Sequence, residues 1–142
     1  MLTIPPDVLK QIQAHGEAAY PNEGVGLLLG TASGSDKTAS AIYELANSWP
    51  AEEQFHRYQV DGAAMLKGEL EAAKRGLDIL GFFHSHPDHP AEASGTDHAW
   101  ATWPWYSYVI TTIAQGRATV TRSWVLREDR SAFDEEALAL PQ

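Results

Sequence analysis

Residues 77–87 have the sequence LDILGFFHSHP, an apolar run that leads directly into two histidines. The segment 77–83 is short and mostly apolar, and Gly76 precedes it, as is typical of a buried strand. His84 and His86 follow two positions apart, so in an extended segment both imidazoles project from the same face and can reach one metal ion. The stretch therefore predicts a central strand with two candidate metal ligands at its end.

The rest of the chain is predicted to alternate short strands with helices. Asp61 is a favourable N-cap and Gly76 a favourable C-cap for one of these helices, while Gly34 and Gln115-Gly116 indicate hairpin turns. In chain order, the remaining predicted elements are a helix over about 6–18, strands over 24–30, 38–46 and 57–60, helices over 63–75 and 94–103, and strands over 106–113 and 117–126.

Composition limits the partners and the metal chemistry. We expect one domain over 1–130 and a helix or frayed tail over 131–142, without a membrane span, because no apolar stretch is long enough to cross a bilayer. Cysteine is absent, so a metal must be held by histidines and carboxylates. A net charge of −9 argues against a nucleic-acid partner. The first residues do not resemble a signal peptide, so a cytoplasmic location is expected.

Asp97 is the candidate for a third metal ligand. It lies beyond a loop, in the first turn of the predicted helix over 94–103, from where a carboxylate can fold back onto the ion. Two histidines and one carboxylate leave a fourth position for water, which is the arrangement of catalytic zinc. The sequence therefore predicts one zinc ion per chain, bound by His84, His86 and Asp97.

The segment from His84 to Asp97 resembles the signature of the JAMM (MPN-plus) zinc metalloproteases, in particular their small stand-alone prokaryotic members. His84-Ser85-His86-Pro87 and Ser94-Gly95-Thr96-Asp97 match the His-x-His and Ser-x-x-Asp parts of that signature and their spacing. The resemblance implies a mixed α/β (α+β) fold of the cytidine-deaminase-like JAMM/MPN type. In that fold a curved, mostly antiparallel sheet has one helix on each side, and the metal lies at an edge where the histidine strand ends.

The resemblance also implies roles for individual residues. In JAMM proteases a glutamate at the start of the strand after the first helix acts as general base, and Glu23 has that position, with Glu17 and Glu44 as weaker candidates. Ser94 would stabilise the oxyanion. The implied reaction is hydrolysis of a peptide or isopeptide bond by zinc-activated water, at the C-terminal tail of a ubiquitin-like or sulfur-carrier protein. The sequence leaves open which bond is cleaved and whether the chain forms a homodimer.

Other interpretations of these residues stay open. A metallo-beta-lactamase-like hydrolase would use Asp88 and His89 as further ligands, but that pattern needs histidines well downstream, and only His98 follows. A non-catalytic MPN-type interaction module would share the fold, although such modules usually lack the metal ligands. One group of aromatic residues could line a substrate groove, but we favour core packing for it: Trp100, Trp103, Trp105, Tyr106 and Tyr108.

Overall fold

The computed structural model describes residues 1–55, 58–93 and 104–141. In this part of the chain the elements are β1 (Leu2–Thr3), α1 (Pro6–Ala19), β2 (Val25–Ser33), β3 (Asp36–Leu45), a short 3₁₀ helix (Ala51–Glu53), α2 (Gly62–Arg75), β4 (Asp78–Pro87), β5 (Ser107–Ala114), β6 (Arg117–Leu126), β7 (Phe133–Glu136) and β8 (Leu138–Ala139). Among the described helices, none has the length and apolar character needed to span a membrane.

The described strands form one mixed sheet that curls strongly. Its strand order is β7-β6-β5-β4-β2-β3-β1-β8, and the β2–β3, β2–β4, β5–β6 and β6–β7 pairings are antiparallel. β7 and β8 lie at opposite ends of this order, yet only Ala137 separates them in sequence. Because one extended residue spans roughly 3.3 Å, the two ends of the sheet must lie close together. The predicted curved, mostly antiparallel sheet is confirmed.

One helix packs on each face of the sheet. Val8 and Ile12 of α1 are buried in a cluster with Phe83 of β4. Ala72 of α2 is buried in a second cluster with Phe82, the neighbouring residue of the same strand. Since successive strand residues point to opposite faces, the two helices lie on opposite sides, as predicted.

The ends of α2 also agree with the prediction. Asp61 caps its N-terminus, because the carboxylate accepts a hydrogen bond from the backbone N–H of Ala63 at 2.8 Å. Gly76 ends the helix with a φ of +68°, a left-handed conformation that glycine adopts without steric penalty. The chain then enters β4 after Leu77, so this turn places the histidine strand directly beside α2.

Three predicted elements are wrong in extent or type. β4 continues through the histidines to Pro87, because its parallel pairing with β5 extends to the pair of Pro87 and Ile113. The histidines therefore lie within a central strand. The prediction that they lie beyond the end of this strand, at a sheet edge, is wrong. Residues 58–60 form no strand. Residues 131–142 are predicted to form a helix or tail, but Phe133–Glu136 and Leu138–Ala139 form β7 and β8, because β6 and β1 offer backbone groups for pairing.

A buried ion pair connects the C-terminal strands to β3. Lys37 Nζ lies 3.8 Å from Glu136 Oε2, and the two side chains are 2% and 8% exposed. Ser107 Oγ accepts a hydrogen bond from Lys37 and donates one to Glu136. Burial lowers the pKa of Lys37, and the Glu136 carboxylate opposes that effect. A buried lysine is tolerable here because its hydrogen bonds and its counter-charge are all supplied.

Replacing Gly81 by alanine should destabilise the fold far more than the same change at Gly76. Gly81 has a φ of +156°, and a Cβ there would overlap the carbonyl oxygen of Ser107 on β5. Gly76→Ala meets open space, so only its left-handed backbone is strained, at about 1–2 kcal/mol. We expect Gly81→Ala to lower the free energy of unfolding by at least about 3 kcal/mol in urea titrations. Equal losses in the two variants would contradict the close β4–β5 approach.

Candidate metal centre

Three predicted site residues come together at one end of β4. Val25 of β2 pairs with His84, and Glu23 lies two residues before Val25, just ahead of the start of β2. One ligand atom from each of Glu23, His84 and His86 lies within 4.8 Å of the other two. The residues are 5%, 1% and 7% exposed. The fold thus buries a carboxylate against two imidazoles, which is an arrangement suited to a metal ion.

The other two predicted site residues, Ser94 and Asp97, lie outside the described residues. The same holds for the predicted helix over 94–103 and for His98 within it. The oxyanion role of Ser94 and the metal-ligand role of Asp97 therefore stay predictions.

The donor atoms fit a zinc ion. His84 Nε2 and His86 Nε2 lie 3.1 Å apart. Two imidazole nitrogens bound tetrahedrally to zinc, each about 2.0–2.1 Å from it, lie roughly 3.3 Å from one another. The chain has no cysteine, and a nitrogen-rich set with a carboxylate is typical of catalytic zinc. The described residues can thus hold zinc with little rearrangement.

A backbone carbonyl orients the second histidine. His86 Nδ1 lies 2.8 Å from the carbonyl oxygen of Pro90. Because a carbonyl oxygen can only accept a hydrogen bond, Nδ1 carries the proton and donates it. The other ring nitrogen, Nε2, then presents its lone pair to the cluster, as metal-binding histidines with an outer hydrogen bond usually do.

The segment that carries Pro90 is held in place by its neighbours. Asp88 accepts hydrogen bonds from the Tyr20 hydroxyl at 2.6 Å and from the backbone N–H of Gln115 at 2.7 Å. The hydrogen bond from Tyr20 lowers the pKa of Asp88 and raises that of the tyrosine. Residues 88–90 are thereby tied to the residue that follows α1 and to the β5–β6 turn, and the carbonyl that orients the second histidine has a defined position.

The metallo-beta-lactamase-like alternative finds no support in the described residues. It requires Asp88 and His89 to join the two histidines at the metal. The Asp88 carboxylate is engaged by Tyr20, and His89 is exposed, with its backbone carbonyl accepting from Thr112 Oγ1 at 2.7 Å. Within the described part of the chain, the metal-competent group consists of Glu23 and the two β4 histidines.

The weaker glutamate candidates are engaged elsewhere. Glu17 Oε2 accepts a hydrogen bond from the backbone N–H of Ala118 at 2.8 Å. Glu44 Oε1 lies 3.4 Å from His15 Nδ1, and its side chain is exposed. Of the three glutamates considered from sequence, Glu23 is the one that reaches the histidine cluster.

Ser85 fastens β4 to the residue that follows the glutamate. Its hydroxyl oxygen accepts a buried hydrogen bond from the Gly24 N–H at 2.8 Å, and its own N–H donates to the Gly24 carbonyl at 3.0 Å. As the residue between two histidines that share a face, Ser85 points to the opposite face. It therefore fixes the distance between Glu23 and the histidines without contacting the cluster itself.

Two residues beside the cluster were missed from sequence. Tyr58 is buried, and its ring packs on that of His84 with centroids 4.6 Å apart. The sequence predicts a short strand at this position, and no local pattern indicates the contact with His84. Asn47, which bonds to the backbone of Glu23, was not singled out; its one local signal is an Asx turn with Trp49, two residues later.

The described members of the aromatic group belong mainly to the core, as we favoured. Tyr108 is buried in the cluster on the α2 side of the sheet, and Tyr106 packs against that cluster. Trp105 is exposed, with Lys37 Nζ 4.2 Å above its ring. Trp100 and Trp103 lie outside the described residues.

Comparisons with known proteins relate the chain to a described family. A model of the prokaryotic homologs of the JAB domain matches residues 5–127. A "Probable TtuB-protein conjugate cleaving protease" of Thermus thermophilus is 32% identical over 103 residues, which are 72% of this chain and 65% of the relative. A "Desampylase" of Haloferax volcanii is 32% identical over 90 residues, 63% of this chain and 62% of the relative. The matched region thus spans less than two thirds of either relative.

Solved structures support the same fold. A solution structure of a Desulfitobacterium hafniense protein has a TM-score of 0.86 at 31% identity and covers 100% of this chain and 94% of that one. The crystal structure of a JAB1/MPN domain protein from Archaeoglobus fulgidus has a TM-score of 0.63 at 16% identity, with 100% and 98% covered. The second likeness concerns the fold alone, and it confirms the predicted JAMM/MPN architecture.

Ser85→Ala should destabilise the protein by about 1–3 kcal/mol, because it leaves the buried N–H of Gly24 without its acceptor. The matched control is Ser40→Ala on the exposed side of β3, which should stay within about 0.5 kcal/mol of the parent. Urea unfolding of the three proteins measures the difference. Equal stabilities of the two variants would show that Ser85 does not hold the two strands together.

Proposed function

Because the chain belongs to the prokaryotic homologs of the JAB domain, we propose that it is a zinc-dependent peptidase that cleaves conjugates of a ubiquitin-like or sulfur-carrier protein. Family membership confirms the resemblance that the His-x-His and Ser-x-x-Asp signature predicted. The observation that carries the proposed activity is the buried convergence of Glu23, His84 and His86 at the end of β4.

In this proposal, His84, His86 and Asp97 hold the zinc ion. Bound there, zinc would polarise the scissile carbonyl and lower the pKa of the attacking water. His84 and His86 already have their Nε2 atoms at ligand spacing. Pro90 holds His86 in the tautomer that a metal ligand requires.

Glu23 acts as the general base and then as the general acid. Its carboxylate takes a proton from water as the new C–O bond forms, and it gives the proton to the amine nitrogen as the C–N bond breaks. The products are a carboxylate and a free amine. Burial of Glu23 supports this role, because a low local dielectric strengthens its interactions with charge that develops nearby. The Ser94 hydroxyl donates to the oxyanion of the tetrahedral intermediate.

The substrate class rests on the relatives and on charge. One relative is named as a protease that cleaves TtuB-protein conjugates, and the other is named a desampylase. Both names describe the removal of a small protein modifier. The net charge of −9 favours a modifier or a modified protein with a neutral or basic contact surface.

Glu23→Gln should keep zinc but lose hydrolysis. The amide cannot accept the proton from water, so the rate should fall by about 10²–10⁴, measured on a lysine-linked conjugate of a ubiquitin-like protein. The control is Glu44→Gln, the same change at an exposed glutamate outside the cluster, which should stay active. A fully active Glu23→Gln protein would refute the general-base assignment.

Asp97→Ala should lower the zinc content from about one ion per chain to little, as measured by elemental analysis of the untagged protein. The matched control is Asp78→Ala at an exposed position of β4, while Asp88→Asn tests the metallo-beta-lactamase-like alternative. Loss of zinc from the Asp88 variant in place of the Asp97 variant would favour a metallo-beta-lactamase-like site. No zinc in the parent would favour an interaction module.

Removal of zinc by a chelator should abolish hydrolysis, and added zinc should restore it. The same treatment should lower the melting temperature, because an ion that binds only the folded protein stabilises it. Differential scanning fluorimetry and conjugate cleavage measure the two effects on one sample. Activity that survives complete zinc removal would overturn the proposal.

A further inference from the structure

Asn47 lies at the start of the connection between β3 and α2, and several backbone hydrogen bonds converge on its side chain. Its Oδ1 atom accepts from the backbone N–H groups of Trp49 and Gln59, each at 3.1 Å. Its Nδ2 group donates to the carbonyl oxygen of Glu23 at 3.1 Å. One side-chain amide therefore joins the two ends of this segment, at Trp49 and Gln59, and also binds the backbone of Glu23 in the metal centre.

The backbone of Glu23 is held on both sides by this connection. Its N–H donates to the carbonyl of Gln54 at 2.7 Å, and its carbonyl accepts from Asn47. Gln54 is in turn anchored by its own side chain, which donates to the carbonyls of Asn47 and Trp49 at 3.1 and 2.7 Å. The N–H and the carbonyl of Glu23 are thus both bonded to the segment that contains Asn47. These bonds restrict the backbone of Glu23, while its side chain can still rotate.

The Asn47 side chain is also linked, through Gln59 and Tyr58, to His84. Gln59, whose N–H bonds to Asn47, directly follows Tyr58, the residue that packs on the ring of His84. Ser48 reinforces this attachment, because its N–H donates to the Gln59 carbonyl at 2.8 Å. Asn47 therefore places a contact on each side of the centre, at Glu23 and at His84.

We propose that Asn47 is a positioning residue for the general base, in that its amide fixes the backbone of Glu23 relative to the histidines. The catalytic part of this inference rests on the proposed function. An amide suits the position because it offers an acceptor for two N–H groups and a donor for one carbonyl. Displacement of a catalytic group by about 1 Å can lower a rate by about 10²-fold, so a lost anchor should affect catalysis more than binding.

Two variants and one control test the proposal. Asn47→Asp keeps an acceptor for Trp49 and Gln59 but places an oxygen against the Glu23 carbonyl, so it removes that bond. Asn47→Ala removes all three bonds without adding charge, and agreement between the two variants excludes a purely electrostatic effect. The control is Ser48→Ala, which loses an exposed bond to the Gln59 carbonyl in the same segment and does not reach the glutamate.

The first measurement is amide hydrogen exchange at Glu23 in the metal-free protein. Exchange there should accelerate by about tenfold or more in both Asn47 variants, while Ser48→Ala should match the parent. Without the Asn47 bond to its carbonyl, the backbone of Glu23 is held less firmly against Gln54, the acceptor of its N–H. Unchanged exchange at Glu23 in the Asn47 variants would overturn the proposal, whether or not the parent hydrolyses conjugates.

The second measurement is steady-state cleavage by the zinc-loaded proteins. Asn47→Asp should lower kcat by about tenfold or more with KM within about twofold, at parent zinc content. Accelerated exchange with an unchanged kcat, or a loss of zinc along with kcat, would overturn the positioning role in catalysis. If the parent itself is inactive while exchange at Glu23 still accelerates, the proposed function fails and the anchoring of Glu23 by Asn47 is upheld.

Discussion

The antiparallel pairing of β2 with β4 is the constraint on which the centre depends. It sets Val25 opposite His84, so Glu23, just before the start of β2, lies beside the two histidines. A slip of one residue in this register would turn the glutamate to the opposite face. Gly24 and Ser85 oppose such a slip, because their two mutual hydrogen bonds form only in the observed register.

The curled sheet explains why this pairing can be buried. β4 is flanked by β2 and β5, and the C-terminal strands add to both ends of the sheet. With α1 packed on one face and α2 on the other, the β4 histidines are nearly enclosed. The two histidines are therefore held by a strand inside the sheet, and strands hold side chains more precisely than loops do. Glu23 lies just before β2, where hydrogen bonds to its backbone hold it in place.

The sequence predicted the local features of this structure and missed those that depend on distant contacts. The apolar run before His84, the caps Asp61 and Gly76, and the turn at Gln115-Gly116 each have a local physical cause, and each was found. The extension of β4 to Pro87 depends on its pairing with β5, and β7 forms because β6 has a free edge. No local pattern reports either condition, and the same holds for the contact of Tyr58 with His84.

The candidate site shows the same division between local and distant information. Spacing along one strand identified His84 and His86, and the family resemblance identified Glu23. Asn47 escaped notice because an asparagine before a turn has an ordinary structural explanation, and its bond to Glu23 crosses 24 residues of sequence. A residue that acts through the backbone of another leaves no motif, so only the three-dimensional structure can reveal it.

The hydrogen bonds around the centre also indicate how folding prepares it for a metal. Ser85 and Asn47 bond to the N–H and to the carbonyl of the peptide group that joins Glu23 to Gly24, and Pro90 fixes the tautomer of His86. Folding therefore supplies the energy that brings a carboxylate and two imidazoles together in a buried place. A metal that joins them has little reorganisation left to drive, so its binding energy is available to stabilise the fold.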